Sequence, residues 1–323
     1  MVYVECNDDY LVSLGVFIQK WVDPNHEISL QTSGSTGVPK TFLMSKQSMV
    51  NSALATGSYF KLIPGDSALS CLPFNYIAAK MMFVRAYTLG LELDCINPSS
   101  TPLESLSKYY NFCAMVPLQL EKSIKFLHRI KTLIVGGAPL STALMEKLKS
   151  SNSNVYETFG MTETISHVAL KLISEKYYTA LKDISFSLSQ NETLVIDAPN
   201  LLDEPISTND LVHLESNTSF EWLGRVDNVI NSGGYKIIPE KVEIEIGRIL
   251  RKPFFVAGIQ DAQFGEKMVL FIEGENSEFK SNQLKELELN KFEIPKEVYF
   301  IEEFTRTDTA KIQRKATIMK FLE

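Results

Sequence analysis

Thr32-Ser33-Gly34-Ser35-Thr36-Gly37-Val38-Pro39-Lys40 concentrates hydroxyl donors, two glycines and a lysine in one short run. Glycines let the backbone turn and present its N–H groups, hydroxyls add donors, and the lysine adds positive charge. The combination suits a polyphosphate. A flexible surface turn would account for the serines and glycines but not for the Pro-Lys ending. The run is not a Walker A loop, because Pro39 stands where glycine must precede the lysine.

The run resembles, at every position, the phosphate loop of the adenylate-forming enzymes, a superfamily of acyl-CoA synthetases, adenylation domains and luciferases. Further stretches resemble that family's motifs in the same order. Phe159-Gly160-Met161-Thr162-Glu163-Thr164 is similar to its aromatic-Gly-x-Thr-Glu motif. The resemblance implies that Phe159 packs on adenine, Thr162 contacts phosphate and Glu163 helps hold Mg2+. A flat ring offers a stacking face, and a carboxylate is the hard oxygen ligand that Mg2+ prefers. Gly136-Gly137-Ala138-Pro139 resembles the adenine-side loop, and would equally serve as a strand-to-helix turn with Pro139 first in the helix.

Thr208-Asn209-Asp210 occupies the place of the family's Thr-Gly-Asp, whose aspartate accepts from the ribose hydroxyls; Asn209 departs from the usual glycine. Gly224-Arg225-Val226-Asp227 through Gly233-Gly234-Tyr235-Lys236-Ile237 resembles the linker motif. By that resemblance Arg225 contacts ribose and phosphate, Asp227 is a hinge, and Gly233-Gly234 lines the route of the thiol acceptor. Thr307-Asp308-Thr309-Ala310-Lys311 resembles the terminal motif, with Ala310 for the common glycine and Lys311 as the lysine that completes the adenylation site.

The family's chemistry is attack of a carboxylate on the α-phosphate of Mg·ATP, giving acyl-AMP and pyrophosphate, followed by displacement of AMP by a thiol. Catalysis is mostly positioning and charge neutralisation. ATP, Mg2+ and coenzyme A are the implied cofactors. Thr32, Ser33, Gly34, Ser35, Thr36, Gly37 and Lys40 would hold the β- and γ-phosphates, Glu163 the metal, and Lys311 the developing charge at the α-phosphate.

For the acid, Leu72-Pro73-Phe74-Asn75-Tyr76-Ile77-Ala78-Ala79 resembles the substrate-side segment of o-succinylbenzoate–CoA ligases of menaquinone biosynthesis. The subgroup's histidine is replaced, and its glycine is Ala79. Gly160 to His167 resembles the same subgroup. A dicarboxylate needs a second cation near its pocket, and Lys80 and Arg85 on one helix are candidates, with Tyr76, Ser166 and His167 as further lining residues. Ordinary surface charge is the plain alternative for Lys80 and Arg85. A carrier-protein thiol in place of coenzyme A, another acid, and a non-catalytic nucleotide-binding regulator all stay open.

The totals fit this picture. The 323 residues carry a formal charge of −7, with 45% hydrophobic and 22% charged residues. That balance argues against nucleic acid or an anionic membrane as partner. The cysteines (Cys6, Cys71, Cys95, Cys113) and histidines (His26, His128, His167, His213) are scattered, so neither a disulfide frame nor a zinc site is expected. No apolar run reaches a membrane span, and the acidic N-terminus lacks the basic region of a signal peptide. A cytoplasmic setting is expected, with self-association left open.

The elements that must position these residues alternate through the first half. Strands are expected near 67–72, 91–96, 112–116 and 132–135, and helices near 10–21, 45–58, 77–89, 102–110, 117–128 and 139–150. Such alternation predicts an α/β layer architecture with a largely parallel sheet. Beyond residue 180 two hairpins follow, 184–188 with 194–196 and 211–214 with 220–223. Then come a helix from Pro239 bearing Val242, Ile246, Ile249 and Leu250, and strands near 254–259 and 268–272. The expected division is a large layered domain over 1–226, shortened at its front end relative to the family, and a small α+β lid over 227–323. A natural compact form is the expectation for that short front.

Overall fold

The computed structural model describes residues 2–32, 40–275, 279, 281–307 and 311–322. The chain runs β1 (Val2–Glu5), α1 (Asp8–Val22), β2 (Glu27–Thr32), β3 (Lys40–Ser45), α2 (Lys46–Phe60), β4 (Ser67–Ser70), α3 (Ile77–Leu89), β5 (Glu92–Ile96), β6 (Tyr110–Met115), α4 (Pro117–Ser123), β7 (Ile130–Val135), α5 (Thr142–Leu148) and β8 (Asn154–Gly160). It continues through β9 (His167–Leu172), β10 (Tyr178–Ala180), β11 (Ser185–Leu188), β12 (Thr193–Asp197), β13 (Ile206–Ser216) and β14 (Ser219–Arg225). The last elements are β15 (Ile230–Ser232), β16 (Tyr235–Ile237), α6 (Pro239–Ile246), β17 (Phe254–Asp261), β18 (Gly265–Glu273), β19 (Glu297–Ile301) and α7 (Arg314–Leu322).

One twelve-stranded sheet takes the order β1-β5-β4-β6-β7-β8-β9-β10-β14-β13-β12-β11. From β1 to β8 neighbours are parallel; from β8 onward they are antiparallel. The parallel half is forced by its helical crossovers, the antiparallel half by its short hairpin turns. Both hairpins expected beyond residue 180 form. A second sheet, β16-β15-β18-β17 with β19 beside β18, holds the strands after residue 226.

Helices cover both faces of the parallel strands. α1 is capped by Asn7, whose side chain accepts from Tyr10 N–H, and has Asp8 and Asp9 in its first turn. Tyr10, Leu14, Phe17 and Trp21 form its inner stripe, and Tyr10 and Phe17 meet Phe74 edge-on or tilted. α2, capped by Ser45 as its sequence predicts, packs on α3. α3 is buried from Met81 to Ala86 because the sheet lies on one side and α1 and α2 on the other. α4 and α5 cover the opposite face.

Four local expectations are corrected. No helix forms over 102–110. Leu103 and Leu106 are buried through turns, and Arg129 Nη1 donates to both of their carbonyls, which a helix would need for its own amides. The helix of the 139–150 segment starts at Thr142, capped by Ser141, so Pro139 lies in the preceding loop. The 117–128 helix is shortened, tightening into a 3-10 turn at Ile124. Ile249 lies beyond the end of α6 and is exposed, while Val242, Ile246 and Leu250 are buried. β1, β2, β3, β8, β9, β10, β15, β16 and β19 are strands that periodicity did not reveal. The continuous buried run Val168-Ala169-Leu170 was the available signal for β9.

Candidate active site

The loops after β7 and β8 lie at the carboxyl edge of the parallel strands, the usual ligand side of such sheets. β7 and β8 run side by side, with Val135 opposite Glu157. Gly136 follows β7, and a β-carbon there would sit 2.5 Å from Thr158 Oγ1 on the neighbouring strand. Gly137 adopts φ 94°, which glycine accepts without penalty. The loop is anchored at its far end by Leu140 N–H donating 3.1 Å to Glu157 Oε1, a carboxylate also paired with Lys171 at 3.0 Å. Gly136, Gly137, Ala138 and Pro139 therefore form a backbone-lined rim with little side-chain bulk.

Phe159 and Gly160 end β8. Gly160 is required by closeness: a β-carbon would meet Ser166 O at 2.3 Å and His167 Cα at 2.6 Å. The turn between them is tied by Thr164 Oγ1, which donates to Ser166 O and accepts from Met161 N–H, and by Ile165 N–H to Thr162 O. Ile165 sits at φ 68°, strained for a β-branched residue but buried and packed. The turn leaves Glu163 exposed and, among the described residues, without an ion pair. Phe159 lies against Phe220 and Tyr178 edge-on, at 5.0 and 5.9 Å between ring centroids.

Asp210 and Arg225 are directly opposite one another on β13 and β14. Asp210 is buried, and its Oδ1 accepts from Trp222 Nε1 at 2.9 Å with Arg225 Nη1 at 3.9 Å. Thr208 Oγ1 accepts from Asp210 N–H, closing a tight local turn. Arg225 Nη2 lies 3.3 Å from Asp227 Oδ2, which also accepts from Asn209 Nδ2 at 3.0 Å. Asn209, which replaces the family glycine, thus ties Asp227 to β13. Lys311 is brought to the same place. Although the residue as a whole is exposed, desolvation of its ammonium and repulsion from Arg225 hold its pKa below that of an ordinary lysine.

Arg85 is no surface charge: it is 1% exposed. Its Nε donates to Thr56 Oγ1 at 3.3 Å and its Nη2 to Ser166 Oγ at 2.7 Å, with His167 Nδ1 at 3.4 Å. Thr56 Oγ1 spends its proton on Ser52 O, so it accepts from His167 Nε2 at 3.2 Å. That pattern assigns the imidazole proton to Nε2 and turns the bare Nδ1 toward the guanidinium. Burial, then Arg85, holds His167 well below its ordinary pKa, and burial brings Arg85 down to about 9. Among the described residues no carboxylate reaches Arg85. Lys80 points elsewhere, donating 3.1 Å to Asn75 O, and burial and then Lys20 lower its pKa. Tyr76 occupies the position before α3 without a side-chain capping bond and is half-buried.

The remaining candidates are dispersed around these groups. Thr32 pairs with Lys40 in the antiparallel β2–β3 register. Ser33, Gly34, Ser35, Thr36 and Gly37 lie outside the described residues. Gly233 and Gly234, at φ 57° and 84°, make the β15–β16 turn, pinned by Gly233 N–H to Phe264 O. Sequence reasoning missed Thr56 and Trp222. The first was signalled only by a polar residue in the inner stripe of α2, and the second by nothing local.

A layered α/β frame with a lysine-bearing C-terminal unit over an Asp-Arg pair defines a nucleotide-binding protein class. The family model described as AMP-binding enzyme matches residues 18–205, more than half of the chain, and the chain belongs to that family. It is similar to 2-succinylbenzoate–CoA ligase of Listeria monocytogenes, 26% identical over 88% of this chain and 68% of that one. A solved acyl-CoA synthetase (AMP-forming)/AMP-acid ligase II-like protein from Dyadobacter fermentans is 35% identical, over 98% of this chain and 96% of that one, with a TM-score of 0.66. The fold is also that of o-succinylbenzoate coenzyme A synthetase from Bacillus subtilis in complex with ATP and magnesium, with a TM-score of 0.77 at 18% identity, over 90% of this chain and 69% of that one. Among the described residues no helix is long and apolar enough to cross a membrane.

Proposed function

We propose that this chain adenylates a small dicarboxylic acid, with o-succinylbenzoate favoured, and transfers the acyl group to coenzyme A, as in menaquinone biosynthesis. A carboxylate oxygen attacks the α-phosphorus of ATP and pyrophosphate leaves. The thiol sulfur then attacks the acyl carbon and AMP leaves. The observation that carries the dicarboxylate is Arg85, a buried cation whose described partners are all neutral. Burying a charge without a counter-charge costs several kcal/mol, and an arriving carboxylate would offset it with charge-assisted hydrogen bonds.

Asp210 holds the ribose in this reading, with Arg225 on ribose and phosphate, Lys40 and the loop donors on the terminal phosphates, and Lys311 at the α-phosphate. Exposed and unpaired among the described residues, Glu163 fits a Mg2+ ion, which would neutralise phosphate charge when bound. Phe159, Gly160 and the rim 136–139 face the adenine. Residues 1–226 act as the nucleotide-binding domain and 227–323 as a lid turning at Asp227, which would bring Gly233 and Gly234 to the thiol. A cytoplasmic setting goes with these substrates.

The test is pyrophosphate release from ATP and magnesium with a panel of acids, including o-succinylbenzoate and its monocarboxylate analogues, then thioester formation with coenzyme A. Release that depends on o-succinylbenzoate is the expected result. Release with no acid of the panel would overturn the enzymatic reading, and equal use of the monocarboxylates would overturn the role of Arg85. A holo-carrier protein replacing coenzyme A as the better acceptor would overturn the choice of thiol.

A further inference from the structure

Where the C-terminal elements meet β14, a buried acid and a half-buried one share one arginine. Glu240, in the first turn of α6, is 6% exposed. Its Oε1 accepts from Asn228 Nδ2 at 2.6 Å, while its Oε2 is buried with no hydrogen-bond partner. That bare oxygen rests on Gly224, where a β-carbon would stand 2.4 Å from it. One turn further, Glu243 accepts from Val256 N–H at 2.7 Å and from Arg314 Nη2 at 2.8 Å. The same Arg314 nitrogen stands 3.7 Å from Glu240 Oε1.

The groups facing this pair can be taken element by element. α7 contributes Arg314, the turn before β15 contributes Asn228, β17 contributes the Val256 N–H, and β14 contributes the bare backbone of Gly224. Two ionised carboxylates and one guanidinium leave one negative charge in a dry place, and a single proton cancels it. Burial, opposed by Arg314 and the Val256 N–H and reinforced by Glu240, brings Glu243 to about 7. Arg314 follows Lys311 closely in sequence, so whatever fixes Arg314 also fixes where Lys311 stands.

We propose that Glu240 is a positioning residue for the adenylating orientation: seated on Gly224 and sharing Arg314 with Glu243, it holds Lys311 beside Arg225 while the acid pair carries one proton. The catalytic meaning rests on reading Lys311 as the adenylating lysine, and the conformational claim on reading Asp227 as the hinge. Turning the C-terminal unit away lifts Glu240 off Gly224 into water, which screens its repulsion of Glu243 and lets Glu243 ionise more readily. The proton is therefore held more tightly in the orientation seen here. This orientation is favoured below about pH 7 and is lost as the pH rises through that value, by up to about tenfold per pH unit for one proton.

The experiment is a distance measurement between spin labels on Lys149→Cys and Lys320→Cys, two exposed positions, in a Cys6→Ser background with no substrate added. In the otherwise unchanged protein a second distance should grow between pH 7 and 8.5. In Glu240→Gln, which keeps the shape and removes the charge, the single distance should persist to pH 8.5. A distribution that does not change with pH, or a Gln variant that titrates like its parent, overturns the proposal. Pyrophosphate exchange gives the second readout: Glu240→Gln should flatten the alkaline fall of kcat while leaving the KM for ATP unchanged. No exchange in the parent protein would sink the enzymatic reading, and the distance titration would still decide the role of Glu240.

Discussion

Trp222 donates its indole proton to Asp210 Oδ1 at 2.9 Å, from the strand beside the one that carries the aspartate. The bond fixes the carboxylate's rotation. It keeps one face of Asp210 toward Arg225, so the pair is preorganised.

Trp222→Phe removes that bond and little of the ring's volume. The expected outcome is an unchanged fold and a KM for ATP raised about tenfold, matching about 1.5 kcal/mol for a hydrogen bond to a charged group. Circular dichroism and steady-state kinetics check both parts. An unchanged KM would remove Asp210 from the nucleotide site.

Lys311→Ala is expected to lower adenylation by about a hundredfold or more, the scale of losing one preorganised charge at the reacting centre. Conversion of preformed acyl-AMP to the thioester should persist. Normal ATP–pyrophosphate exchange in the variant would refute the assignment.

Arg85→Leu should separate stability from function. Replacing an unpaired buried cation with an apolar side chain is expected to leave the melting temperature equal or higher. At the same time kcat/KM for the dicarboxylate should fall about a hundredfold or more, with monocarboxylate analogues little affected. A large drop in melting temperature would mean that Arg85 is structural.

His167 gives a pH dependence of stability. Its pKa in the fold lies well below the unfolded value near 6.5 because of burial and Arg85. A depressed histidine contributes stability that is present above the unfolded pKa and is lost as pH falls below it. Unfolding free energy should therefore decline from about pH 6.5 downward, by at most about 1.4 kcal/mol per pH unit from this group, and the melting temperature should fall with it. His167→Gln should flatten that decline, and an identical acid slope in the variant would exclude His167 as its source.

Much of this protein was legible before any tertiary structure was considered. The alternation of strands and helices pointed to a parallel sheet, and the turn-rich spacers after residue 180 pointed to hairpins, because local periodicity and turn chemistry govern both. α2 and α3 begin as their sequences suggest, since a capping serine and an apolar stretch act within a few residues. The spaced motifs carried the family, and Asp210, Arg225 and Lys311 do come together. The false helix over 102–110 shows the limit: Leu103 and Leu106 have helical spacing, yet Arg129 takes the carbonyls a helix would have used. Arg85 and Lys80 looked alike in one dimension, and only packing buries the first among neutral partners and sends the second toward Asn75. Nor could spacing bring Glu240 onto Gly224, or make Glu243 share its arginine. Residue types and order determine which chemistry is available, because functional groups are local properties. Which charges are stripped of water, and which are paired, is decided by the tertiary structure, because desolvation depends on everything packed around a group.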